Sequence, residues 1–203
     1  MTPALHQGSL LTLADVSLER GARRLLQGVT LEVGNAELWQ LVGSNGSGKT
    51  SLLRAIAGLA RLGVQGAIGR SDSFLYQGHL PGLKPLLTCR ENLRWHGSGR
   101  VCTEMQRIDE ALAAVGLAGY EDSVVLQLSA GQQRRVGLAR LWLSDAALWL
   151  LDEPFTAIDL KGTALLESRL QAHCSAGGSV VFTSHQPTAM DGLQVLDLNQ
   201  YAA

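Results

Sequence analysis

Eight consecutive residues, Gly43-Ser44-Asn45-Gly46-Ser47-Gly48-Lys49-Thr50, set two glycines around four residues and end in Lys-Thr. This is the spacing of a phosphate-binding loop. Its chemistry follows from residue type. Glycines let backbone N–H groups turn towards an anion, the Lys49 ammonium reaches the β- and γ-phosphates, and the Thr50 hydroxyl takes a place on Mg²⁺. Further along, the apolar run Ala147-Leu148-Trp149-Leu150-Leu151 ends in Asp152 and Glu153. An acid there helps hold Mg²⁺, and the next one can polarise a water for attack on the γ-phosphorus. Between these features lies Leu128-Ser129-Ala130-Gly131-Gln132-Gln133-Arg134-Arg135. Ser129 reads as a helix N-cap with Gln132 three residues on, and Gly131 permits close backbone approach. A capped helix start is a second anion site, and two such sites in one chain suggest a nucleotide shared between two copies. Together these residues predict nucleoside triphosphate binding with Mg²⁺.

Such residues need rigid elements to aim them. Leu38 to Val42 reads as a buried strand before the loop, and Ser51 to Leu59 as a helix with Leu52, Ala55, Ile56 and Leu59 on one face. Leu10 to Leu18 and Leu25 to Val33 read as an antiparallel pair around the turn Glu19-Arg20-Gly21-Ala22. Gln65 to Arg70 and Phe74 to Tyr76 are two short strands, and Gly78 to Leu83 is punctuated as a loop. Helical patterning runs from Thr88 to about Val115, with a capping-box pattern at Thr103-Glu104-Met105-Gln106 and an apolar stripe of Met105, Ile108, Leu112 and Val115. That stripe reads as core packing. A loop through Gln127 precedes a helix from Gly131 to Leu143, the strand Ala147 to Leu151, a helix from Leu160 to Cys174, the strand Ser179 to Thr183 and a last apolar run from Val195 to Leu198. The alternation predicts an α/β fold, a mostly parallel sheet flanked by helices with antiparallel N-terminal strands. One domain over 1–203 is expected, with a helical subdomain at about 78–145 inside it.

Composition narrows the class. A chain of 203 residues suffices for one large α/β domain. With 17% charged residues, 46% hydrophobic residues and a net charge of −1, it lacks the basic stripe of a nucleic-acid binder. No basic segment followed by an apolar run opens the chain, so no signal peptide is expected. No apolar stretch approaches the about eighteen residues of a membrane span. Cys89, Cys102 and Cys174 are far apart and have no metal-ligand spacing.

Leu128-Ser129-Ala130-Gly131-Gln132 resembles the signature motif of the ATP-binding-cassette (ABC) ATPases, and the other motifs of that family follow in order. Gln77 after Tyr76 looks like the glutamine loop. Thr156-Ala157-Ile158-Asp159 resembles the loop that crosses the dimer interface, and His185 in Thr183-Ser184-His185-Gln186 matches the switch histidine. The resemblance covers essentially the whole chain and implies the phosphate-loop NTPase core of the ABC type. It implies that two copies close head to tail on two ATP molecules. The loop Gly43, Ser44, Asn45, Gly46, Ser47, Gly48, Lys49, Thr50 and Ser51 would wrap the phosphates. Each γ-phosphate would meet Lys49, Gln77 and His185 of one copy and Ser129, Gly131 and Gln132 of the other. Thr50, Gln77 and Asp152 would organise Mg²⁺, Glu153 would act as general base, and Asp159 would couple the two sites.

One departure from the family pattern has consequences. The family usually stacks adenine on an aromatic residue of the early strand pair, and no aromatic residue precedes Trp39. Either the Arg20 guanidinium plane substitutes for it or adenine goes unstacked. Weak ATP binding and poor discrimination against GTP are expected. Arg20→Tyr should tighten ATP by the roughly 1–3 kcal/mol of base–aromatic stacking, read by equilibrium titration; an unchanged affinity would sink the idea.

A finer likeness joins Gly78-His79-Leu80-Pro81-Gly82-Leu83-Lys84, Glu91-Asn92-Leu93, Gln127 through Val136, Leu138 through Leu143 and Trp149 through Asp159. These stretches are similar to the ATPase subunits of bacterial cytochrome c maturation, the CcmA family. That likeness implies a peripheral subunit at the cytoplasmic face of the bacterial inner membrane. Its membrane partners would be CcmB, CcmC and CcmD, and it would power delivery or release of the haem chaperone CcmE. A partner-docking groove is expected around His79 to Asn92. Two other roles stay open from sequence: the ATPase of another small-solute ABC transporter, or a soluble accessory ABC ATPase such as that of iron–sulfur cluster assembly. His6, His79, His96 and His173 are scattered, so haem binding is not assigned to this chain.

Overall fold

Eight strands and five α-helices lie along the residues described by a computed structural model, 8–21, 23–60, 62–95, 104–184 and 188–203. In chain order they are β1 (Ser9–Arg20), β2 (Arg23–Gly34), β3 (Leu38–Val42), α1 (Lys49–Ile56), β4 (Val64–Arg70), β5 (Phe74–Gln77), α2 (Cys89–Arg94), α3 (Met105–Ala114), α4 (Ala130–Leu143), β6 (Leu148–Leu151), α5 (Leu160–Ser175), β7 (Ser179–Thr183) and β8 (Leu193–Asp197). They form two compact units. One comprises Met1–Tyr76, Ala146–Pro154 and Leu170–Ala203, the other Gln77–Asp145 and Phe155–Arg169. The helical unit thus takes in 155–169 as well as the continuous insert, because the first half of α5 packs there.

The first unit holds two sheets. β2-β1-β4 is antiparallel, with Leu11, Leu13, Val16 and Leu18 of β1 alternating inward against Leu26, Val29, Leu31 and Val33 of β2. The second sheet has the order β5-β6-β7-β3-β8, and the pairs β6–β7, β7–β3 and β3–β8 are parallel. β6 and β7 are buried along their whole length. This is why they read as continuous apolar runs rather than alternating ones. The flat stack of His173 of α5 on Trp149 of β6, ring centroids 3.7 Å apart, anchors the strand that carries the two acids.

α1 begins at Lys49, two residues before the predicted start, and ends at Ile56. Leu59, expected on its buried face, is 58% exposed. The helix stops short because Gly58 takes a positive φ and Arg70 donates to the carbonyls of Ile56 and Ala57. In the second unit, Ile108, Leu112 and Val115 are buried as expected, but Met105, in the first turn of α3, is 43% exposed. Thr103 lies outside the described residues. The N-cap of α3 is Glu104, without a side-chain cap bond, and the capping box is instead formed by Thr88 and Glu91 at α2. Asn92 is buried, accepting from the Lys84 N–H and donating to the carbonyls of Lys84, Leu87 and Thr88. Its side chain therefore builds the 84–88 turn and is not free for a partner.

Candidate nucleotide site

Parallel strands bring their carboxyl ends to one edge, and ligands bind there in sheets of this kind. The register sets Leu41 beside Thr183 and Leu151 beside Phe182, so the ends of β3, β7 and β6 stand in line. The phosphate loop leaves β3, Thr183 closes β7, and Asp152 and Glu153 follow β6.

The loop is shaped by glycines that no other residue replaces cheaply. Gly48 has φ 102°, and a Cβ there would press to 3.2 Å on the Leu26 side chain of β2. Gly43 has φ 149°, and its Cβ would lie 2.6 Å from Ser47 Oγ. Gly48 is the N-cap of α1, no side chain caps that terminus, and no acid lies in its first turn. By contrast α2 and α4 each carry a capping box. The first N–H groups of α1 therefore keep the positive end of the helix dipole available to an anion. Lys49 is only 6% exposed, and its ammonium donates to the carbonyls of Gly43 at 2.7 Å and Ser44 at 3.1 Å. Asn199 Oδ1 accepts the Ser44 N–H at 3.0 Å, tying the loop to the chain beyond β8.

Asp152 is 1% exposed. Its Oδ1 accepts from Thr50 Oγ1 and from Thr183 Oγ1, both at 2.9 Å. Its Oδ2 is buried without a hydrogen-bond partner among the described residues, as is Ser47 Oγ. One carboxylate oxygen is thus fixed and the other left with its lone pairs. Hard oxygen donors of this kind, Asp152 with the Thr50 hydroxyl, fit Mg²⁺. Glu153 has φ 54°, a conformation costing a non-glycine residue about 1–3 kcal/mol, and its N–H donates to Thr183 Oγ1 at 2.8 Å. Tyr76 of β5 belongs to the same surroundings. Burial raises its phenol pKa, the Asp152 charge raises it further, and Arg54 opposes both.

Thr183 was invisible as a functional residue in the sequence, being read as the end of an apolar strand. A hydroxyl closing an otherwise apolar run is the signal that was there. It bridges both acids, so Thr183→Val strips a donor from Asp152 and removes the Oγ1 acceptor of the Glu153 N–H. The expected cost is about 1–3 kcal/mol of stability and roughly a tenfold loss of turnover, with Thr183→Ser restoring both. Thermal unfolding and phosphate release check it.

The remaining expected residues belong to the second unit or lie outside the described residues. Gln77 ends β5 in the second unit, buried, with neither amide atom hydrogen-bonded to a described residue. Ser129 Oγ accepts the Gln132 N–H at 3.2 Å, and Gln132 Oε1 accepts the Ser129 N–H at 2.9 Å, which completes the cap of α4. Gly131 has open space before it, a Cβ there meeting only Ala157 O at 3.9 Å. Asp159 caps α5 by accepting the Gly162 N–H and pairs with Arg135 at 3.0 Å. His185 lies outside the described residues.

Residues 26–156 match the family described as ABC transporter. The chain belongs to the ABC transporter family. Among its curated relatives is the cytochrome c biogenesis ATP-binding export protein CcmA 1 of Salmonella typhimurium strain LT2. That protein is 51% identical over 189 residues, 88% of this chain and 90% of the relative. A second, the protein named CcmA in Saccharophagus degradans, is 44% identical over 207 residues, 93% of each chain. Among solved structures, the ATP-binding subunit of an ABC transporter superposes with a TM-score of 0.77 at 26% identity, covering 87% of this chain and 79% of that one. A dimeric ATP-binding cassette in a post-hydrolysis state with ADP and Pi gives 0.74 at 24% identity, over 87% and 88%, and speaks for the fold alone. Membership in the ABC transporter family carries ATP binding and ATP hydrolysis with it.

Proposed function

We propose that the chain is the ATP-hydrolysing subunit of a membrane complex for cytochrome c biogenesis, working on integral membrane partners like CcmB, CcmC and CcmD and driving haem delivery or release at a CcmE-like chaperone. The observation that carries this reading is identity of 44–51% along nearly the whole length of curated CcmA proteins. No helix among the described residues is long and apolar enough to cross a membrane, so attachment at the inner face would run through partners. In the second unit Leu80, Leu86, Trp95 and Leu126 are more than half exposed, which supports a docking face there.

Two copies of the 1–203 domain would enclose two ATP molecules. Lys49, Gln77 and His185 of one copy would hold a γ-phosphate from one side, and Ser129 and Gly131 of the other copy from the opposite side, with Gln132 fixing that cap. Asp159 would couple the two sites. Thr50, Asp152 and Gln77 would hold Mg²⁺, which when bound neutralises charge on the β- and γ-oxygens. Glu153 would take the proton of the attacking water while closure keeps bulk water out.

The test is capture from gently solubilised bacterial membranes with Glu153→Gln and ATP, reading the partners and whether they carry haem. Haem-handling membrane subunits are expected. A different permease, or soluble partners alone, would overturn the maturation role and leave the ATPase standing.

A further inference from the structure

The segment Gly78-His79-Leu80-Pro81-Gly82, which follows β5, is held from one side by α4. Arg134, Gly137 and Arg140 recur at i, i+3 and i+6, one face of that helix. Arg134 Nη1 donates to His79 O at 2.5 Å. Arg140 Nη1 donates to Pro81 O at 2.6 Å and its Nη2 to Gly82 O at 3.1 Å. Between them on that face Gly137 has no side chain, and a Cβ there would come within 2.8 Å of Pro81 Cβ and 3.3 Å of Gln77 Nε2. Both arginines are buried, and the hydrogen bonds of Arg140 go to backbone carbonyls rather than to a carboxylate. Burying a guanidinium this way is costly enough to pull the Arg140 pKa down to about 10. What it achieves is a fixed backbone. Leu80 stands 78% exposed between two clamped residues, and Gln77 lies just before them.

We propose that Arg134 and Arg140 are positioning residues for ATP turnover, fastening the His79–Gly82 backbone to α4 so that the Gln77 amide moves as one body with the helix capped by Ser129. The inference rests on the reading of Gln77 as a γ-phosphate contact. It makes the glutamine loop and the signature helix a single rigid part.

Steady-state ATPase assays on the full chain with Arg140→Lys, Arg134→Gln, Gln77→Ala and the two double variants test it. A lysine supplies a point charge that cannot span two carbonyls, so Arg140→Lys should lower kcat about tenfold with KM within about twofold. Gln77→Ala should lower kcat, and adding either arginine change to it should cost nothing more, because the arginines act through Gln77. Additive losses, or a raised KM with kcat unchanged, overturn the proposal. If Gln77→Ala leaves kcat intact, the Gln77 reading falls and takes the proposal with it. If Gln77→Ala is slow while both arginine variants match the parent, the proposal alone falls. Should Arg140→Lys not fold, Arg134→Gln carries the same cycle.

Discussion

Replacing Glu153 with glutamine is expected to lower ATP turnover at least about a hundredfold while leaving ATP affinity within about twofold, measured by phosphate release and equilibrium titration on one preparation. Geometry supplies the reason. Glu153 follows the fully buried strand β6, its backbone is turned to φ 54°, and its N–H is held by Thr183 Oγ1. A left-handed glutamate persists only where its surroundings fix it, and such strain gathers where a side chain must point one way. Glutamine has the same shape and keeps a carbonyl oxygen, so the backbone and its bond to Thr183 survive. It cannot accept the proton of an attacking water. Turnover within about tenfold of the parent would mean that the water is activated elsewhere, since a positioned general base contributes roughly 10²–10⁴.

What the sequence made legible and what it hid follow from the range of the interactions involved. β7 spans Ser179–Thr183 as expected, because a run bounded by Gly177-Gly178 and buried on both faces has no competing period. The capping box of Ser129 and Gln132 was legible too, being complete within four residues. Thr88 and Glu91 form the same box at α2, and Thr103 lies outside the described residues. The helical patterning expected from Thr88 to about Val115 holds α2 and α3, with 96–103 outside the described residues. Leu59 was misplaced because its burial depended on where α1 ends, and a side chain fourteen residues past Ile56, Arg70, helps to end it. Likewise Thr50, Asp152 and Thr183 share one carboxylate oxygen across more than a hundred residues. Residue types suggested the first two. The third is fixed by sheet register, which no local pattern records.

Lys49→Ala should fail in the opposite way, at binding. An ammonium has three donors, and Lys49 spends two on the carbonyls of Gly43 and Ser44. One remains for a phosphate oxygen. Because the group is buried, that contact is made away from bulk water, where a hydrogen bond to a charged partner is worth about 1.5–3 kcal/mol, or roughly ten- to a hundredfold in affinity. ATP affinity should fall by that factor in a titration. Arginine should not rescue it, because its flat guanidinium has a different shape from the slot that two carbonyls make for an ammonium. Affinity within about threefold of the parent would remove Lys49 from the phosphate site. The two substitutions also check each other. If the loop binds and the strand end hydrolyses, Glu153→Gln keeps the nucleotide and does not turn it over, whereas Lys49→Ala releases it; a variant pair that loses both properties together would mean that the two acids and the phosphate loop do not act as separate parts of one site.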